Sequence, residues 1–495
     1  MADQSLKNKA ITGMAWSAIQ NFAVQGISFA IGIILARILM PSDYGLIGML
    51  AIFLAISQLF VESSFSSALI QKTDRTEVDY STIFYFNLAV GVVFYLILFF
   101  SAPLIAQFFN APQLTILTKV LSLNIIINSL SLVQQTRLTI KLDFKTQALI
   151  SLFSVIISGT IGIFTAYRGF GVWALVIQST SIALVRTVSL FYISKWVPLL
   201  IFSGSSFKQL FGFSSKLLGA GLVATIFNNI YSVLIGKIFA AKDLGFYTRA
   251  RQYPEFLSGT STSILQGVTF PILASLQNDR ERMVSVYGRL MRMVVFFVVP
   301  ALTLLALLSE PFIRFFLTEK WMPVAPLMQW LCFARMITPI SALNMNILNA
   351  IGRSDLFFKV DISKLPLTVA ALVITIPLGL LAVVIGHFVT TFICFFINAY
   401  YPGKLFGFGA ARQIKEMRLV VYATLIMSIG VFIIMIILPT DFLKLLIGVP
   451  LGICIYLLLA YLMKIKEVEE VVKIAQPVIN RVAGIIKYDK SARLP

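Results

Sequence analysis

Apolar runs long enough to cross a bilayer recur along this chain from end to end, and that recurrence constrains the fold more than any single motif. A hydrocarbon core needs about 20 apolar residues per crossing helix. Inside it every backbone N–H and C=O must be paired within the protein. The runs therefore read as membrane helices near 11–36, 44–68, 82–106, 113–134, 147–167, 170–194, 213–237, 250–275, 291–317, 325–349, 360–381, 384–404, 417–438 and 444–463. At 58% hydrophobic and 12% charged residues, with a mean hydropathy of +0.91, a soluble globule is excluded. The expected fold is an all-α integral membrane protein of about 14 helices.

The formal charge of +19 would suggest a nucleic-acid partner in a soluble chain, but here the placement of the charge decides its meaning. With the N-terminus inside, Lys and Arg fall on the cytoplasmic side in an about threefold excess, which puts both termini in the cytoplasm. The basic balance is then topology and attraction to lipid headgroups. Cys332, Cys394 and Cys454 all lie in spans, which leaves neither a disulfide framework nor a zinc site, and no cofactor is expected. The opening MADQSLKNKA runs into a long first span without a small-residue cleavage pattern, so an uncleaved first helix is expected.

The chain also repeats itself. Ile34-Leu-Ala-Arg37-Ile-Leu-Met-Pro-Ser-Asp43-Tyr-Gly45 returns 200 residues later as Leu234-Ile-Gly-Lys237-Ile-Phe-Ala-Ala-Lys-Asp243-Leu-Gly245. Ser101, Pro103 and Ile105 return as Ser309, Pro311 and Ile313, and Pro112 and Lys145 as Pro326 and Lys359. A slowly drifting offset is the mark of a duplication with small loop insertions. The expected organisation is a six-helix bundle over 1–194, a cytoplasmic linker at 195–212, a second bundle over 213–404, two further helices at 417–463 and an amphipathic cytoplasmic tail at 464–495. Spans 13 and 14, nearly wholly apolar, lie outside the duplication and read as lipid-facing.

Polar side chains fall in stripes on matching helices of the two halves. Span 1 carries Ser17, Gln20, Asn21, Gln25 and Ser28, and span 2 carries Gln58, Glu62 and Ser66 at i, i+4 and i+8. Their counterparts are Thr225, Asn228, Asn229 and Ser232 on span 7, and Glu255, Ser258, Thr262, Gln266 and Thr269 on span 8. Span 4 adds Asn124, Asn128, Ser131 and Gln135. Such groups are costly against lipid and should face a cavity or another helix. Lys119, Arg186 and Arg335 lie within spans, Arg335 roughly 15 Å from the outer end of its helix.

The run GFYTRARQYPEF…VTFPILASLQND, the LARILMPSDYG turn and the paired halves resemble the bacterial polysaccharide flippases of the O-antigen, colanic-acid or teichuronic-acid type. These belong to the multidrug/oligosaccharidyl-lipid/polysaccharide exporter superfamily, and the resemblance covers about residues 5 to 465. It implies a V-shaped pair of helical bundles, with the first two helices of each half lining a central cavity. It also implies alternating-access movement of undecaprenyl-diphosphate-linked oligosaccharide from the cytoplasmic to the periplasmic leaflet. The related lipid II flippases carry an Arg-Asp pair in the first helix; Gln20-Asn21 stands here instead, and that site is not carried over.

A lipid-linked diphosphate needs cations at membrane depth, a wet polar cavity and a lateral opening. Arg grips phosphate bidentately where Lys offers a point charge, so the expected substrate-binding residues are Arg335, then Arg186, then Lys119. Glu62 and Glu255 are expected to supply counter-charge or coupling to a proton or sodium gradient. Arg37 and Lys237, at matching outer ends, read as anchors, and His387 as a packed or interfacial residue. Expected partners are the lipid-linked oligosaccharide, membrane lipids and a polysaccharide polymerase or export machinery. An enzyme reading finds no Asp-x-Asp motif and no Walker A sequence. The open alternative is a cation-coupled multidrug exporter of the same superfamily, for which acidic cavity charges would be favoured.

Overall fold

The computed structural model describes residues 2–72 and 74–470, apart from the side chains of 2–15, 17–19, 21, 62–65, 67, 209, 210, 212–217, 220, 260, 263–268, 270 and 271. Among the described residues there are α-helices and short 3-10 turns and no strand, as a lipid-embedded backbone requires. Among the described residues twelve helices are long and apolar enough to cross a membrane, and the described part of the first helix adds the apolar stretch Phe22–Ile38. The helix over span 8 is not among the twelve, and the side chains of 260, 263–268, 270 and 271 in it lie outside the described residues. It carries Arg249, Arg251, Gln252 and Glu255 within two turns.

Local chemistry explains the helix ends. α2 (Pro41–Gln71) starts on a proline, which needs no N–H partner, and Asp43 accepts a 2.9 Å bond from the Met40 amide. α3 (Glu77–Phe108) opens on a capping box: Thr76 N–H donates to Asp79 at 2.8 Å and Asp79 N–H to Thr76 Oγ1 at 3.3 Å. Lys72 closes the same carboxylate at 2.9 Å.

The expected linker is only partly a linker, because α8 (Gly204–Ile238) already begins within it, N-capped by Ser203. Residues 195–203 are held along α3, with Leu199 N–H donating to Ser81 Oγ at 2.9 Å and Ser203 N–H to Thr82 Oγ1 at 3.1 Å. Trp196 is buried beside Tyr80 and Phe84 and donates its indole N–H to Glu77 at 2.6 Å.

By its contacts the chain divides into two compact units, Met1–Thr248 and Arg249–Pro495. The first contains α1 (Ala2–Ile38), α2, α3, α4 (Leu114–Leu121), α5 (Leu123–Ile140), α6 (Phe144–Tyr167), α7 (Val172–Ser194), α8 and the start of α9 (Ala241–Ser275). In this unit the repeated motif meets itself. A Cβ built on Gly45 would lie 1.7 Å from the Ala241 carbonyl oxygen, and one built on Gly245 would lie 1.8 Å from that of Pro41. Gly45 pairs with Gly245 and Pro41 with Ala241 in the 200-residue repeat, so the contact is reciprocal, as across a local two-fold axis. Only a side chain without Cβ permits that approach.

The second unit holds the rest of α9 with α10 (Arg280–Leu307), α11 (Ser309–Leu317), α12 (Val324–Ala350), α13 (Ser354–Ser363), α14 (Leu365–Thr375), α15 (Leu380–Phe406), α16 (Ala410–Ile437) and α17 (Asp441–Leu462). Its interior contains one buried polar knot. Tyr287 of α10 donates to Asn344 Oδ1 of α12, and Gln413 of α16 donates to the same oxygen at 2.8 Å and to the Phe408 carbonyl at 2.9 Å. α16 exposes the apolar face Leu425, Ile429, Phe432 and Ile436, in keeping with lipid contact. The α16 and α17 pair is nonetheless tied to the bundle: Tyr456 donates to the Phe296 carbonyl of α10 at 2.8 Å, and Gly452 packs under Leu304. Of the expected tail, 464–470 is described and 471–495, with Pro477, lies outside the described residues.

Candidate functional site

Each unit carries an intramembrane arginine in a built setting. In the first unit a polar cavity of about 360 Å³ opens among α1, α5, α6 and α7. Helical spacing aims its lining: Asn124 and Asn128 lie four apart on α5, Ser151 and Ser154 three apart on α6, and Ser179, Ile182 and Arg186 along one stripe of α7. Gln20 and Gln25 come from α1. These groups bond across helices, Gln20 to Ser151 at 3.1 Å and Asn124 to Ser179 at 3.2 Å. Asn128 reaches Gln58 of α2 at 3.4 Å, and Thr136 reaches Ser66 of α2 at 3.0 Å. The Asn124 side-chain oxygen is buried without a hydrogen-bond partner.

Arg186 donates to the neutral Gln135 oxygen at 2.7 Å, and among the described residues it forms no ion pair. A guanidinium keeps its charge at any physiological pH. The cavity therefore holds an excess positive charge at its edge, where an anion would be stabilised by about 1.5–3 kcal/mol for each charge-assisted hydrogen bond.

In the second unit Arg335 of α12 and Glu255 of α9, chosen separately from the sequence, meet. Arg335 Nη2 donates to Glu255 Oε2 at 3.0 Å, and Arg251, one turn before Glu255, donates through Nε to the same oxygen at 2.6 Å. Arg335 is the more buried partner, its side chain 17% exposed against 42% for Glu255. Two guanidiniums on one carboxylate leave the group at net +1. His387 of α15 lies within electrostatic reach of Arg335 and Arg251.

The other sequence choices fall elsewhere. Lys119 lies on the short α4 with its ammonium 4.4 Å from the centre of the Phe99 ring, and it does not line the cavity. Lys237 donates to the Phe108 carbonyl and rests on that ring, in keeping with an anchor. The Glu62 side chain lies outside the described residues; its backbone sits on α2 midway between Gln58 and Ser66. Sequence reasoning missed Arg251, whose i, i+4 spacing to Glu255 was the available signal, and the serines of α6 and α7. It expected polar linings from the first two helices of each half. The cavity inside the first unit is a separate one and draws on α1 with α5, α6 and α7.

Comparison with known proteins gives these features a context. The chain is 27% identical over 362 residues to the teichuronic acid biosynthesis protein TuaB of Bacillus subtilis, covering 72% of this chain and 74% of that protein. It is 26% identical to the succinoglycan biosynthesis transport protein ExoT of Rhizobium meliloti, covering 71% of each. It is 24% identical to the lipopolysaccharide biosynthesis protein WzxC of Escherichia coli, covering 75% and 76%. Among solved structures it resembles the lipid II flippase MurJ in an inward closed conformation, with a TM-score of 0.74 at 16% identity over 90% of this chain and 98% of that one. An inward-facing multidrug MATE transporter of the MOP superfamily follows at 0.57, over 78% and 98%. These likenesses place the fold among multi-pass transporters of that kind. Residues 34–326, from the end of α1 into α12 and more than half of the chain, match one family throughout, and the chain belongs to it: the polysaccharide biosynthesis proteins.

Proposed function

We propose that this protein moves undecaprenyl-diphosphate-linked oligosaccharide repeat units from the cytoplasmic to the periplasmic leaflet, by alternating access, for the synthesis of a surface polysaccharide. It is a transporter and not an enzyme. The observation that carries the reading is Arg186: a cation with only a neutral described partner, at the edge of a polar cavity inside an apolar bundle. Guanidinium suits a phosphate, and amide and hydroxyl side chains suit sugar. The Arg251–Glu255–Arg335 group, also net positive, favours the same sign of cargo. Relatives named for succinoglycan transport and for lipid II flipping support the class of cargo.

Arg335 and Arg186 are the proposed cargo contacts, and Lys119 is a weaker third because its charge rests on Phe99. Glu255 supplies counter-charge to Arg335, and Glu62 is assigned to coupling with a proton or sodium gradient. The bias of Lys and Arg supports a bacterial inner-membrane location with both termini in the cytoplasm. A polymerase or export machinery would receive the cargo.

The multidrug alternative shares the architecture but needs a site attractive to cations. Purified protein warmed with undecaprenyl diphosphate or with a quaternary ammonium drug separates the two, since a ligand raises the melting temperature of the state it binds. The diphosphate should raise it and the drug should not. A shift with the drug alone would overturn the assignment.

A further inference from the structure

A second cavity, of about 550 Å³, lies in the Arg249–Pro495 unit where α15 ends, α16 begins and α10 starts. It goes beyond the transport reading, since none of its lining belongs to the residues proposed for cargo. Arg280, Arg292 and Arg412 line it against two carboxylates, Glu281 and Glu416.

The three arginines are not equivalent. Arg292 is already neutralised, giving Nη1 to Glu416 at 2.8 Å and Nε to Glu467 at 2.7 Å. Arg280 and Arg412 form no ion pair among the described residues. Their guanidiniums lie instead over aromatic rings, Arg280 at 5.5 Å from the centre of Phe406 and Arg412 at 5.1 Å from that of Phe408. The Phe408 ledge is rigid: the ring is buried at 2% exposure, packs edge-on to Tyr287 at 5.1 Å and belongs to the same floor as the Tyr287–Asn344–Gln413 knot. Stacking holds a guanidinium in place by its face and leaves its N–H edges available to an acceptor. Arg412 spends one N–H on a long 3.5 Å bond to the Gly407 carbonyl.

We propose that this cavity binds a phosphate oxyanion, gripped by Arg280 and Arg412 from their aromatic ledges. A basic pocket at the end of membrane helices is a setting for a phospholipid headgroup, and the same chemistry would take a free diphosphate. Arg292, at the cavity wall, ties α10 to α16 and to the segment after α17, so an occupant touches the joint of three elements.

The test uses the full chain in neutral detergent, with two probes: phosphatidylglycerol, followed by native mass spectrometry, and inorganic pyrophosphate, followed by calorimetry. Arg280→Gln with Arg412→Gln is compared with Arg353→Gln, an exposed arginine outside the cavity, at matched elution and melting behaviour. The proposal expects at least one probe to lose about tenfold or more in affinity in the double variant, roughly 1.4 kcal/mol or more, and less than about twofold in the control. Loss for phosphatidylglycerol alone identifies a lipid headgroup, and loss for pyrophosphate alone a soluble anion. Binding of both probes unchanged within about twofold in the double variant, or binding of neither by the parent, overturns it. Because no readout involves transport, its failure leaves the flippase reading standing, and the reverse also holds.

Discussion

Gly245→Ala is expected to be among the most damaging single substitutions in the chain, with Gly45→Ala its equal. The added Cβ would lie 1.8 Å from the Pro41 carbonyl oxygen in one case and 1.7 Å from that of Ala241 in the other. Overpacking normally costs about 1–3 kcal/mol because side chains give way. Here the obstacle is backbone at the first turn of a helix, and no rotamer relieves it. The loss should reach at least about 3 kcal/mol, at the top of that range. Thermal unfolding in detergent measures it, with Gly26→Ala as control, since nothing lies within 4 Å of a Cβ there. If Gly245→Ala melts with the parent, the reciprocal packing of the repeats is wrong.

Arg335→Ala and Glu255→Gln are expected to move cargo affinity in opposite directions. The cluster Arg251–Glu255–Arg335 stands at net +1; removing Arg335 takes it to zero, and neutralising Glu255 takes it to +2. One charge-assisted hydrogen bond to phosphate is worth about 1.5–3 kcal/mol, so Arg335→Ala should weaken undecaprenyl-diphosphate binding about 10- to 100-fold. Glu255→Gln removes the carboxylate that both guanidiniums share and should tighten binding. A merely structural ion pair would give the same sign for both variants, by destabilising the protein whichever partner is lost. Equal weakening by the two substitutions would therefore move Arg335 from cargo contact to scaffold.

Much of this was legible in the sequence, for reasons that differ from place to place. The apolar runs had to be helices because lipid offers the backbone no other partner. The repeat was read from spaced Pro, Asp and Gly, and the Gly45 and Gly245 contact gives the two glycines a steric cause. Arg335 was marked by its depth and Glu255 by the polar stripe of span 8, but they lie 80 residues apart and only tertiary packing shows that one holds the other. The cavity beside Arg186 was half legible. Its asparagines stand out as a stripe on α5, whereas Ser151, Ser154 and Ser179 are ordinary residues of membrane helices, which often bond their own backbone, as Ser154 does to the Ile150 carbonyl. α8 shows the opposite limit. Its serine- and glycine-rich start reads as a linker, yet Ser203 caps a helix there.

The central claim is transport of a lipid-linked oligosaccharide through sites built on Arg186 and Arg335, and flipping in proteoliposomes tests it most directly. Labelled undecaprenyl-diphosphate oligosaccharide would be followed across the bilayer with the intact chain, Arg186→Ala and Arg335→Ala at matched insertion. The intact chain should move the cargo, and each variant should move it at least about tenfold more slowly, the loss expected from one charge-assisted bond. An intact chain that leaves the labelled lipid in its leaflet while exchanging a cationic drug for protons or sodium would contradict the account.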